Sequence, residues 1–392
     1  LRNAWWRESA DVGSWMHTDA GQNERQHVEF RMGELFCGPG GMALGAHRAA
    51  QELGVDLRHA WANDYDADTC ATYRSNIPGA TAESVIHADV RVLETSSLAP
   101  IDGFAFGFPC NDFSRVGERK GMMGRFGPLY KYGVNVLNEH SPAWFVAENV
   151  GDLKGSNDGH SFRQILRELE RAGDQGGYVL TPHLYKFEQY GLPQRRHRIL
   201  IVGIRKDLDV EFRIPATEPY AHIDNSAGNR LENPPIGPLV TQNELAKQKP
   251  WVIERLTHIK PGQSAFTAEL PEHLRLNVTG ATISQIYKRL ERDKPSYTVT
   301  GSGGGGTHVY HWDEPRALTN RERARLQTFP DEYEFVGGRD SVRRQIGMAV
   351  PVEGAEVVFS SLFKSFLGIG YETTHTNLPR SVATVIRTPA GR

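Results

Sequence analysis

Between residues 32 and 205 the chain alternates two textures. Short apolar runs at 32–37, 57–62, 103–108, 143–147 and 197–204 end close to Gly, Asp or Pro and read as buried strands. Stretches of helical character lie between them, at 42–53, 67–75 and 161–172. Strands alternating with helices predict an α/β fold on a doubly wound parallel sheet, where ligands bind beyond the carboxyl ends of the strands. From 206 to 294 prolines recur and periodicity fades, which predicts a smaller second domain. Residues 319–327 and 341–366 look helical again, the first opened by Thr319 with Glu322 three residues on, the pattern of a capping box. The expected division is an extension at 1–30, the sheet domain at 31–205, the smaller domain at about 206–294 and a return segment at 295–392 that completes the sheet domain.

Composition narrows the class. With 39% hydrophobic and 23% charged residues the chain suits a soluble globular protein, and no apolar run nears the ~20 residues of a membrane helix. Residues 1–23, rich in Trp, Asp and Arg, do not read as a signal peptide, so a cytoplasmic location is expected. Cys37, Cys70 and Cys110 are far apart and odd in number, so neither a disulfide framework nor a metal cluster is expected. The net charge of −2 leaves any charge for a nucleic acid to be local.

The segment Glu34-Leu35-Phe36-Cys37-Gly38-Pro39-Gly40-Gly41 follows one predicted strand and opens a predicted helix. Glycines there allow a tight turn and close approach of a ligand to the helix N-terminus. At the end of the next strand come Asp64, suited to ribose hydroxyls, and Tyr65, suited to stacking on adenine; Asp89 follows a third run and suits the adenine amino group. A plain glycine turn is the rival reading. The spacing is neither Gly-x-Gly-x-x-Gly nor a Walker loop, which favours S-adenosylmethionine over NAD or ATP.

Three further features meet at the predicted strand ends. Pro109-Cys110 ends a strand; taken alone, a free cysteine is more often a small buried apolar residue. Glu148, in Ala147-Glu148-Asn149-Val150, ends another strand, where it is either an exposed charge or a partner for a ring nitrogen. Gln194, Arg196 and Arg198 share one face if Gln194-Arg195-Arg196-His197-Arg198 is extended, and two guanidiniums on one face fix carboxylates or phosphates; a solvated strand start is the alternative. Residues 114–129, with Arg115, Arg119, Lys120 and Arg125, read as a basic, glycine-rich loop that closes over a ligand.

In this order the motifs resemble those of the cytosine-5 DNA methyltransferases over nearly the whole chain. Residues 34–41, Pro109-Cys110 with Phe113-Ser114, Glu148-Asn149-Val150 and Gln194-x-Arg196-x-Arg198 carry the resemblance, as do Arg316-Ala317-Leu318-Thr319 with Arg323 and the closing run 345–351. The resemblance implies a Rossmann-like domain for S-adenosylmethionine facing a smaller target-recognition domain across a duplex DNA cleft. It implies a cofactor pocket of Phe36, Gly38, Gly40, Gly41, Asp64, Tyr65, Asp89, Pro109, Leu129 and Val350. Cys110 is the implied nucleophile, Glu148 the partner of cytosine nitrogen 3, and Arg196 and Arg198 orient both; Ser114, Arg115 and Gln194 are implied DNA contacts. A thiolate adding to carbon 6 makes carbon 5 nucleophilic, and the base must be flipped out of the duplex. The implied partners are double-stranded DNA and a cognate nuclease or phage-defence proteins, with the chain acting as a monomer. Two residues depart from the common pattern: Asn111 stands where Gln is usual and Met348 where Asn is usual. The glycine run 301–306 reads as a DNA or hinge approach, or as a linker. The rivals are a tRNA cytosine methyltransferase, a catalytically dead DNA-binding subunit and a small-molecule methyltransferase.

Overall fold

The computed structural model describes residues 16–17, 27–108, 129–150, 160–276, 285–304 and 306–379. The chain runs β1 (Met16–His17), β2 (His27–Leu35), α1 (Gly41–Leu53), β3 (Asp56–Asp64), α2 (Ala67–Asn76), β4 (Val85–His87), β5 (Gly103–Gly107), α3 (Tyr130–His140), β6 (Trp144–Val150), α4 (His160–Arg171), β7 (Tyr178–Lys186), β8 (Gln194–Arg195) and β9 (His197–Arg205). It continues with β10 (Ile214–Pro215), α5 (Ala227–Glu232), α6 (Pro250–Thr257), β11 (Ser296–Tyr297), α7 (Asn320–Leu326), α8 (Arg339–Met348), α9 (Val352–Phe366) and β12 (Thr373–Thr374).

The main sheet has the order β4-β3-β2-β5-β6-β9-β7, with β1 on β2. Alternation of side chains sorts its residues to two faces. Phe104, Phe106, Phe145 and Ala147 face one core, with α3 and α4. Ala105, Trp144 and Val146 face the other, with α1 and α9. There Phe359 packs edge-on to Trp144 and Phe366 edge-on to Phe30. This explains the apolarity of the stretch Arg339–Phe366, the one described segment with the length and hydropathy of a membrane span: 78% of its most apolar 18 residues are buried inside the protein. Its helix breaks at residues 349–351, where Pro351 starts α9.

The doubly wound sheet is parallel from β4 through β6, and its antiparallel members are the short β1 on β2 and, more consequentially, β9. β9 is antiparallel to both β6 and β7, with Glu148 opposite Leu200 and Val150 opposite Arg198. In a parallel arrangement the start of β9 would lie at the far edge from the end of β6. Reversed, it brings the basic residues at its start to the edge where β5 and β6 end.

The core of the main sheet continues past residue 206. Leu208, Phe212 and Ile214 are buried in the core of the main sheet, and β10 pairs with β12. A separate small cluster of Leu256, Ile259, Leu274, Ile286 and Tyr287 extends to Tyr310 and Ala317. A third cluster is built from α5, α7 and α8, including Leu231, Val299, Leu326 and Ile346. The capping box of α7 is present as expected: Thr319 accepts from Glu322 N–H, and the Glu322 side chain accepts from Thr319 N–H.

Candidate active site

At the edge of β5 and β6, Gly107 pairs with Glu148. Glu148 Oε1 accepts from Arg198 Nε at 2.8 Å, and both side chains are only 14% exposed. Gly107 leaves room for this carboxylate: a Cβ there would lie 3.2 Å from Glu148 Oε2. Buried Asn149 donates from Nδ2 to the Phe108 carbonyl at 3.1 Å. That bond clamps the exit of β5, two residues before Cys110, to the strand that carries Glu148. Gly107 and Asn149 were not singled out from sequence; the sole signal was their place inside motifs already noted.

Cys110 itself, with Pro109, Asn111, Ser114 and Arg115, lies outside the described residues. The other two cysteines are buried. Burial, with nearby Asp64, pushes the Cys70 thiol up to about 12 and raises Cys37 well above its usual range, so neither is a ready thiolate.

The three residues expected on one basic face part company. Arg198 holds Glu148. Arg196 is buried and donates to the carbonyls of Val299 (3.0 Å) and Gly347 (3.2 Å). Gln194, expected on DNA, is fully buried: its amide donates to Leu326 O and Gln327 Oε1 and accepts from Val299 N–H. Arg196 N–H also bonds to the Gln194 carbonyl, a tight i→i+2 turn, so the three are not one straight strand. Gln194 and Arg196 staple the 296–301 segment to α7 and α8 rather than facing a base. The glycine run begins in this seam: a Cβ on Gly347 would meet Gly301 N at 2.0 Å, so the two backbones touch.

The other strand ends pack around the glycine loop. Gly38 N–H donates to Asp64 Oδ2 at 3.0 Å, tying the glycine loop to the end of β3. Phe36, Gly38 and Gly40 have positive φ, which glycine adopts without strain. A Cβ on Gly41 would lie 2.1 Å from Val350 O, so the closing run 345–351 packs against this loop through backbone alone. Tyr65 is 66% exposed and Met348 64% exposed. Leu129 is buried at the start of α3. Asp89 accepts from Arg91 N–H and Nε in this structure, so its carboxylate already has a cationic partner. Sequence reading passed over Glu34 as a charge. It is 1% exposed, accepts from Tyr73 O–H at 3.1 Å, and its Oε1 has no partner among the described residues. Burial pushes it up to about 8, and burial also raises Asp64.

The family model for C-5 cytosine-specific DNA methylases matches residues 30–364. The chain belongs to that family. It is a DNA cytosine-5 methyltransferase that uses S-adenosylmethionine. The chain is 55% identical to the type II methyltransferase M.BbvI of Brevibacillus brevis, over 89% of this chain and 95% of the relative. It is 38% identical to M.NgoFVII of Neisseria gonorrhoeae, over 85% and 86%. Among solved structures, a DNA modification methyltransferase encoded within an E. coli prophage superposes with a TM-score of 0.62 at 21% identity, covering 86% of this chain and 99% of that one. The S. pombe Dnmt2 methyltransferase does so at 0.53 and 17%, over 86% and 99%; both likenesses concern the fold.

The residues present fit the methyltransferase cofactor. S-adenosylmethionine is a nucleoside bearing a sulfonium cation. Tyr65 offers an exposed ring at the end of β3 that could stack on a base, and Asp64 beside it, whose two oxygens accept from Gly38 and Asp66 N–H, could hold ribose hydroxyls; the space beside Gly41 is taken by Val350 O. Glu34 Oε1 is left without a partner among the described residues beside Asp64, a polar acceptor open to a ligand at this edge.

Proposed function

We propose that this methyltransferase works through a covalent bond between Cys110 and a cytosine flipped out of duplex DNA. The observation that carries the reading is the Glu148–Arg198 pair at 2.8 Å on the strand clamped, through Asn149, to the exit of β5. Arg198 takes one oxygen of Glu148 and leaves the other to hydrogen-bond nitrogen 3 of the base, in the acid form of the carboxyl. That bond draws electrons from the ring. The Cys110 thiolate adds to carbon 6, and the displaced pair makes carbon 5 nucleophilic. The bound cofactor supplies an electrophilic methyl on its sulfonium sulfur. The carbon 5–methyl bond forms as the sulfur–methyl bond breaks. A water acting as base takes the carbon 5 proton, the Sγ–carbon 6 bond breaks, and the carbon 5–carbon 6 double bond returns with the thiolate. Flipping the base costs about a few kcal/mol, recovered through contacts of the opened duplex. Pro109 belongs to the cofactor side, and Ser114 and Arg115 to the DNA backbone. The smaller lobe that begins after β10 reads the target sequence. Its type II relatives point to a partnership with a cognate nuclease, which methylation at the same site would hold off.

Labelled methyl transfer to duplex DNA is expected from the purified chain and absent from Cys110→Ser. Duplex carrying 5-fluorocytosine should trap a covalent adduct, because fluorine cannot leave as the proton does. Robust transfer by Cys110→Ser, or an active preparation that traps nothing, would refute the covalent reading.

A further inference from the structure

We propose that Arg323 and Arg343, beneath the glycine run at residues 300–304, form a seat for a backbone phosphate of the DNA. Three arginines lie buried on the two-turn helix α7, and two are saturated. Arg321 donates to the carbonyls of Thr241, Pro330 and Tyr333. Arg325 pairs with Asp331 and donates to Leu231 O and Pro234 O. Arg323, 1% exposed, differs. Its Nη2 bonds to His308 Nδ1 at 3.1 Å, while Nη1 has no partner among the described residues. His308 supplies no counter-charge: burial and the surrounding arginines hold it down to about 4, so it is neutral at neutral pH. Arg343 on α8 gives Nη1 to Asp340 Oδ1 at 2.5 Å, and its buried Nε is unpartnered among the described residues. Asp340 is thus bonded to Arg343, while burial and the neighbouring Arg343 together hold the Arg323 guanidinium below its ordinary range.

The glycine run rests on this pair. A Cβ on Gly303 would lie 2.1 Å from Arg343 Nε, and one on Gly301 would lie 3.1 Å from Arg344 Cα. The backbone thus passes directly over the charge, with no side chain at 301, 303 or 304 to keep an anion away. Thr300 Oγ1 and Ser302 Oγ, 2.7 Å apart and exposed, flank it. A buried cation lacking a counter-ion is costly in the free protein. An anion above it recovers that cost, in surroundings where charges are weakly screened. The phosphodiester backbone of the DNA substrate is the anion this enzyme meets in every turnover. The proposal rests on DNA being the substrate and is independent of the covalent step.

The test is the affinity of a duplex oligonucleotide across a salt series, for the full chain and for Arg323→Met and Arg343→Met. Loss of one phosphate contact lowers the slope of log K against log salt by about 0.9. That drop is expected in both variants, with the melting temperature of free Arg323→Met unchanged or raised, since a buried unpaired charge has been replaced by an apolar chain. Unchanged slopes in both variants overturn the seat. So does weaker binding of S-adenosylmethionine without DNA at an unchanged slope, because the pair would then serve the cofactor carboxylate. If Arg323→Met does not fold, the rim substitution Arg343→Gln takes its place in the salt series: the same drop in slope supports the seat, and an unchanged slope overturns it.

Discussion

The main sheet and the smaller lobe hold their interiors together by different means. In the sheet, apolar side chains alternate between two faces and interlock, as Trp144 does with Phe30, Phe359 and Phe363. In the lobe, a small apolar cluster is supplemented by buried guanidiniums. Arg289 is 6% exposed and donates to the carbonyls of Leu256, Ile259, His311 and Glu314 at 2.8–3.3 Å. Arg255 lies between the rings of Trp251 and Tyr287 and donates to Leu274 O. A hydrophobic interior imposes a period on the sequence. An interior of arginines bonded to carbonyls imposes none, because the acceptors are backbone and carry no residue identity.

This contrast is open to attack. Trp144→Ala should cost ~3–5 kcal/mol of stability, as large core truncations do, and unfold both functions together; urea unfolding and cofactor binding measured side by side would show it. Arg289→Met should cost about 2–3 kcal/mol through carbonyls left unpaired and act locally. Binding of S-adenosylmethionine should persist while DNA binding is lost, and equal loss of both would erase the distinction between the regions.

A finer probe lies inside the sheet. Burial raises Glu34 from an ordinary carboxyl value to about 8. A carboxyl raised in the fold stabilises it fully below its unfolded value near 4.5. That contribution falls as pH rises from there to about 8, since the unfolded chain releases the proton first. Glu34→Gln should flatten the fall by on the order of 2 kcal/mol between about pH 5 and pH 8. Parallel stability–pH curves for the two proteins would show that Glu34 ionises freely. The smallest effect is expected at Gly107→Ala: its Cβ, 3.2 Å from Glu148 Oε2, displaces the carboxylate by a few tenths of an ångström. Turnover should drop several-fold with binding of both ligands unchanged, as a small misplacement of a reacting group implies.

Much of the fold was legible because strands and helices buried on a sheet carry their periods openly; β5 and α1 fall within a residue of their expected bounds. The α3 helix and β7 went unread. Glu148 was legible at a strand end, and Arg198 with it. The split between Arg196 and Arg198 was not, because a tight turn at Arg196 breaks the alternation that extended geometry assumes. Gln194 likewise looked like a surface contact until its amide proved to be wholly spent on buried partners.

By itself the sequence determined the class of fold, the cofactor loop and the chemical types at the strand ends, since each rests on local spacing that any chain of this order must express. Only the tertiary structure decided that β9 runs against its neighbours. Strand direction is set by long-range packing and leaves no mark on the strand's own residues. That reversal is what places Arg198 beside Glu148, and without it the two would sit at opposite edges of the sheet.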